Sequence, residues 1–159
     1  MGVLDTIKGC PLFFELYDEE IETIVEKCQV LSLENGDFII KEGDHGNDFF
    51  IILSGYADVL KGETKLAELH KGDLFGELVL LNETLRTADI VARTYTDLLV
   101  MDYESIFGLY KTNPKIFGLL ILNLSRLLTQ RLKKSGQDLR ALGEKVAQLE
   151  AQAQNKKSA

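Results

Sequence analysis

The chain has 159 residues, 45% of them hydrophobic and 27% charged, with a formal net charge of −7. That length suits one compact domain plus an appendage, and the balance of apolar to charged residues excludes wholesale disorder. No apolar run approaches the length a bilayer demands, and no cationic N-terminal segment precedes an apolar core, so a soluble, cytoplasmic protein with no membrane span is expected. Two cysteines, Cys10 and Cys28, are too few for a disulfide framework and are expected to be reduced packing residues.

The charge is divided unevenly. Residues 1–110 carry 8 Lys+Arg against 22 Asp+Glu, a net −14, whereas residues 111–159 carry 10 against 3, a net +7. An acidic body repels nucleic acid, whose binding rests on phosphate neutralisation. Any anionic ligand of the body therefore needs a dedicated local site.

In chain order, Pro11 marks a loop or a short helix, and residues 18–28 then read as an amphipathic helix. Ile21, Ile24, Val25 and Cys28 fall at i, i+3, i+4 and i+7, with Asp18 as the expected N-cap. From Gln29 to Met101 come short apolar runs: Val30–Leu33, Phe38–Lys41, Phe49–Leu53, Tyr56–Leu60, Thr64–Leu69, Thr87–Ala92 and Asp97–Met101. Turn sequences such as Glu34-Asn35-Gly36-Asp37, Ser54-Gly55 and Lys71-Gly72-Asp73 separate them. Short, evenly spaced strands of this kind predict an antiparallel sandwich or barrel: a mainly β fold with flanking helices.

After Tyr103 the pattern turns helical, and Pro114 suits the first turn of a helix reaching Gln154. Leu128, Leu132, Leu139, Leu142, Val146 and Leu149 fill a and d positions of one heptad frame, with Ser135 at a d position. Lys145 at g faces Glu150 at e′ in a parallel pair, so a homodimer through this helix is expected. Ser135-Gly136 interrupts the seam, a pairing that can mark a kink.

One segment between strands carries chemistry: Lys71-Gly72-Asp73-Leu74-Phe75-Gly76-Glu77-Leu78-Val79-Leu80-Leu81, then Asn82-Glu83-Thr84-Leu85-Arg86-Thr87-Ala88-Asp89. A short helix-like turn opens at Gly76-Glu77, where exposed N–H groups and a missing side chain favour an anion. A guanidinium at Arg86, returning over that turn, suits a phosphate. The Glu77 carboxylate is an acceptor for sugar hydroxyls. An Arg, a Glu and a nest of amides together describe a site for a nucleotide phosphate and ribose.

The stretch GDLFGELVLL…LRTADIVA resembles the phosphate-binding cassette of cyclic nucleotide-binding domains of the catabolite activator protein and kinase A regulatory subunit type. The upstream NGDFIIKEGDHGNDFFIILSGYADV is similar to the first half of such domains, and the resemblance covers roughly residues 10–120. It implies an eight-stranded antiparallel β-roll (jelly roll) flanked by helices, with a long C-terminal helix. It also implies a cyclic nucleotide, cAMP or cGMP, as ligand. Arg86 matches the arginine on the cyclic phosphate, Glu77 the acceptor of the ribose 2′-OH, and the amides around Gly76, Leu78 and Val79 the phosphate cap. Thr87 matches a hydroxyl position that touches phosphate and can serve guanine, which leaves cGMP open beside cAMP. Val59 and Leu66 fall where apolar side chains face the base, and Ser135 falls where the long helix approaches it. The sequence departs from the family at Val79, usually a small residue, at Leu85, usually Pro, and at Asp89, usually Ser or Thr.

These readings divide the chain into a ligand module over residues 1–113 and a dimerisation and signalling helix over 114–159. His45 and His70 pair with no cysteine, and no Ser/His/Asp set or paired carboxylates appear, so neither a metal cofactor nor an enzyme is expected. Helices average about 11–12 residues, which leaves no room for a helix-turn-helix beyond the long helix. The expectation is a sensor whose C-terminal helix passes ligand binding to an effector partner, or a fragment lacking its effector. The alternative is an interaction or dimerisation module whose pocket no longer takes ligand.

Overall fold

The computed structural model describes residues 2–157. The chain divides into two units, Met1–Asn123 and Leu124–Ala159. In the first, helix α1 (Val3–Lys8) and a 3-10 turn (Pro11–Phe13) precede helix α2 (Asp18–Val25). Asp18, expected as the N-cap, is instead the first helical residue, and its carboxylate pairs with Lys8 at 2.6 Å. The helix also closes earlier than its apolar spacing suggests. Lys27 N–H and Cys28 N–H bond to the carbonyls of Ile24 and Val25, the tighter i→i+3 pattern that satisfies a helix end.

Eight strands follow: β1 (Gln29–Leu33), β2 (Phe38–Ile40), β3 (Asp48–Ser54), β4 (Ala57–Lys61), β5 (Thr64–Leu69), β6 (Leu74–Phe75), β7 (Asp89–Ala92) and β8 (Thr96–Asp102). They form two antiparallel four-stranded sheets, β1-β8-β3-β6 and β2-β7-β4-β5. This is the expected β-roll. Seven of the strands were legible as apolar runs; β6 was not, because two residues carry no alternation. It exists through its partner, with Phe50 opposite Phe75 and Ile51 opposite Leu74 on β3.

β3 reads Asp-Phe-Phe-Ile-Ile-Leu-Ser and is buried on both faces. Phe50 and Ile52 point between the sheets, into a core with Ile40, Ala57, Leu69, Phe75, Ile90 and Leu98. On the other face, Phe49 lines a small apolar void with Leu12, Phe13, Ile24, Leu80 and Met101. That second face packs helices against the roll, which explains a continuous apolar run where a half-buried strand would alternate. Helix α3 (Tyr103–Thr112) adds Ile106 and Leu109 to the buried set, its N-cap Asp102 accepting from Ser105 N–H at 2.9 Å. Helix α4 (Pro114–Lys157) begins at the proline expected to start it. Within the first unit it buries Ile116 and Leu120, and Asn123 Nδ2 donates to the carbonyls of Leu12 and Phe14 at 3.1 and 2.7 Å.

The second unit is the remainder of α4. Helix continues through Ser135-Gly136, where the sequence allows a kink. Leu132, Leu139, Leu142, Val146 and Leu149 of the heptad frame are all exposed, and Arg140 pairs with Glu144 one turn on.

A buried carboxylate with two partly exposed cationic partners sits on β4. Asp58 is 8% exposed, with Lys65 Nζ at 2.7 Å and Arg93 Nε at 2.8 Å from its two oxygens. The Lys65 hydrogen bond foremost, joined by Arg93 and opposed by burial, holds the carboxyl below its ordinary 3.8. The folded value lies under the unfolded one, so the stabilisation is complete above about pH 4 and is lost as pH falls through the folded value. Urea midpoints measured from about pH 5 to about pH 2 should fall less steeply for Asp58→Asn than for the parent chain. Parallel acid limbs would remove Asp58 from that role.

Candidate phosphate-binding site

The site is assembled where β6 ends. Gly76 takes the left-handed conformation (φ 73°, ψ 8°) and turns the chain from β6 into a 3-10 turn over Glu77–Leu81, which Asn82 closes at φ 63°. Gly is suited to such a position because a Cβ there is strained. A Cβ on Gly76 would also stand 3.1 Å from Arg86 Nη1 and 3.3 Å from the Asp48 carbonyl. The first N–H groups of a helical turn have no acceptor inside it. Val79 N–H reaches the Gly76 carbonyl only at 3.5 Å.

Arg86 is brought to this turn by main-chain pairing that sequence reasoning did not foresee. Residues 84–86 lie against the loop 43–46: Gly46 N–H donates to the Thr84 carbonyl at 3.1 Å, Arg86 N–H to Asp44 at 2.8 Å and Gly43 N–H to Arg86 at 2.8 Å. The guanidinium then donates from Nη2 to the Asp48 carbonyl at 2.6 Å and from Nη1 to the Gly76 carbonyl at 3.4 Å. It lies over the Phe50 ring, 6.0 Å from the centroid, and Phe50 stacks on Phe75 at 5.2 Å. Burial is the leading influence on Arg86 and pulls its pKa below the ordinary guanidinium value, with the Asp48 charge acting in the opposite direction. A guanidinium nevertheless stays charged. Two of its five N–H donors are engaged, so among the described residues three remain for an anion.

The other expected site residues distribute as follows. Glu77 is buried at 6% exposure and Val79 is buried as well, whereas Leu78 is partly exposed. Val79 is larger than the residue usual in the cassette it resembles, and its side chain is accommodated in the interior. Thr87 is exposed; its carbonyl accepts from Lys61 Nζ at 2.8 Å, and its hydroxyl has no partner among the described residues. Lys61 also pairs with Glu42, whose N–H donates to Asp89 Oδ1 at 2.7 Å. Asp89 thus uses its carboxylate to hold the loop that faces Arg86. Thr87 and Ala88, expected within a strand, precede β7 because the chain is still leaving the 43–46 loop. Leu85 is exposed and bridges to His45.

Val59 is half-buried and packs against the core between the sheets. Leu66 is the extra residue of a bulge in β5, since Leu60 pairs with Lys65 and Val59 with Ala67, and it stands 58% exposed. Ser135 lies in the second unit, exposed on α4. Gly46 and the Asp48 carbonyl were not singled out from sequence, although the Glu42-Gly43-Asp44-His45-Gly46-Asn47-Asp48 turn that carries them was visible.

Comparison with known proteins bears on the family of the chain. A family model described as the cyclic nucleotide-binding domain matches residues 30–113. The chain is 37% identical over 97 residues to the cAMP-dependent protein kinase regulatory subunit of Schizosaccharomyces pombe, covering 60% of this chain and 24% of that protein. It is 33% identical over 138 residues to the Cyclic AMP receptor protein of Thermus thermophilus, covering 84% of this chain and 62% of the other. It therefore spans less than two thirds of the length of either relative. Among solved structures, a cyclic nucleotide-binding domain from Methylobacillus flagellatus superposes with a TM-score of 0.75 at 25% identity, covering 84% of this chain and 78% of that one. With the β-roll, the left-handed Gly76 turn and the family-model match over the segment that contains both, the chain belongs to the cyclic nucleotide-binding domain family.

Proposed function

We propose that this chain is a cyclic nucleotide sensor. The cyclic phosphate of cAMP or cGMP occupies the three remaining donors of Arg86 and the amides that open the turn after Gly76; Glu77 takes the ribose 2′-OH. Val59 and Leu66 flank the base, and the Thr87 hydroxyl serves phosphate or guanine. The observation that carries this reading is the Arg86 guanidinium, half-buried and anchored on two main-chain carbonyls in a body of strong net negative charge. Holding a cation out of water is costly, and a bound anion offsets that cost.

The binding signal leaves through α4. In this reading the apolar seam of α4 pairs with a second copy, and Ser135 closes on the base, so that ligand biases the helix between two arrangements and a partner protein reads the difference. The family's domain is regulatory, and among the described residues no group of three or more His, Cys, Asp or Glu is placed to hold a metal. No described helix is long and apolar enough to cross a membrane. A cytoplasmic location fits both.

Isothermal calorimetry of the full chain, freed of nucleotide, against cAMP and cGMP tests the proposal. Saturable binding is expected, with a thermal midpoint that rises with ligand concentration as mass action requires. No heat and no shift at millimolar concentration of either nucleotide would favour the ligand-free interaction module.

A further inference from the structure

Gly46 lies outside every residue assigned to the ligand above, yet a side chain there would meet the group that matters most. A Cβ built there would fall 2.6 Å from Arg86 Nη2, 2.9 Å from Nε and 3.1 Å from Cζ. Its three nearest neighbours are thus all atoms of the guanidinium group. Most of the chain's turn glycines, among them Gly36, Gly43, Gly55 and Gly76, carry positive φ, a backbone reason for lacking a side chain; Gly46 does not. With no positive φ to call for glycine, the space required by Arg86 is the physical reason for glycine at this place.

The slot is two-sided. A side chain at Gly76 would crowd Nη1 and one at Gly46 would crowd Nη2 and Nε, while the Asp48 and Gly76 carbonyls accept from the same two terminal nitrogens. Gly46 cannot retreat easily, because its N–H is bonded to Thr84 and the adjoining loop is paired with Arg86 through Asp44 and Gly43. The Arg86 side chain can. When the crowded atoms are the far end of a flexible side chain, that side chain rotates away at small cost to folding. Affinity suffers instead, because a fork held ready for a phosphate must first be restored to place.

We infer that Gly46 is a positioning residue for the phosphate ligand, acting through the guanidinium of Arg86. This rests on the assignment of Arg86 to a cyclic phosphate. The chemistry recognised is that of a singly charged phosphodiester, whose two free oxygens match the guanidinium fork.

Four full-length proteins test the inference: the parent, Gly46→Ala, Arg86→Ala and the double variant, each titrated with cAMP and cGMP and melted without ligand. Gly46→Ala is expected to lose about tenfold or more in affinity while its ligand-free midpoint moves by no more than about 2 °C. In the Arg86→Ala background the same substitution should cost nothing further, the non-additivity that marks two residues acting as one. Unchanged affinity in Gly46→Ala, or an equal loss with and without Arg86, overturns the inference. Should Gly46→Ala melt early, recovery of the midpoint in the double variant supports crowding against the guanidinium, and no recovery opposes it. If the parent binds neither nucleotide, or Arg86→Ala binds as the parent does, it is the Arg86 assignment that fails.

Discussion

Arg86→Ala is expected to weaken cyclic nucleotide binding by about 30-fold or more. Truncating one partner of a buried, hydrogen-bonded charge pair costs about 2–5 kcal/mol, and about 1.4 kcal/mol is a decade of affinity. Arg86 meets the conditions for that range: its guanidinium is half-buried, lies over Phe50 and is oriented by the carbonyls of Asp48 and Gly76. The ligand-free fold should tolerate the change. Two hydrogen bonds are lost, but a desolvated charge is relieved, and the backbone pairing of residues 84–86 with 43–46 is untouched. A ligand-free unfolding free energy within about 1 kcal/mol of the parent is therefore expected alongside the binding defect. Arg86→Lys should fall between the two, because an ammonium retains the charge and loses the planar fork. Calorimetry of the three proteins provides the measurement. Equal affinities would disconnect Arg86 from the ligand and with it the reading of the cassette.

The second large effect concerns self-association. Leu139→Asp together with Leu142→Asp is expected to weaken the proposed dimer at least about 100-fold, since an uncompensated charge in a buried seam costs about 3–5 kcal/mol. Both leucines are exposed on α4, as are Leu132, Val146 and Leu149, and in a parallel coiled coil these occupy the a and d positions. A row of large apolar side chains left to water at heptad spacing is the form such a seam takes before pairing. Sedimentation velocity across a concentration series should show the parent as a dimer and the variant as a monomer, with cyclic nucleotide binding per chain still measurable. A parent that sediments as a monomer at high concentration would refute the seam.

Legibility varied with the kind of information each feature needed. The strands of the roll announced themselves because burial on one or both faces writes apolar runs into the chain, and turns at Gly36, Gly55 and Gly72 bounded them. The cassette was legible for a different reason: Gly76, Glu77 and Arg86 lie close together in sequence, so one local segment carries most of the chemistry. β6 was hidden, since two residues hold no periodicity and their order comes from β3. Leu66 was read as a strand residue, and the bulge that makes it the odd residue of β5 depends on its pairing with β4.

By itself the sequence determined the composition of this protein's parts: a short-stranded acidic β-roll, a cassette with an arginine and a glutamate beside a glycine turn, and a long helix with a heptad seam. Those are properties of neighbouring residues and of period, and period is local. The tertiary structure decided how the arginine is presented. Gly46, Asp48 and Gly76 are up to 40 positions from Arg86 in the chain, yet they supply the space and the carbonyls that orient its guanidinium. Contacts of that separation depend on strand pairing and loop closure, whose partners no local pattern names.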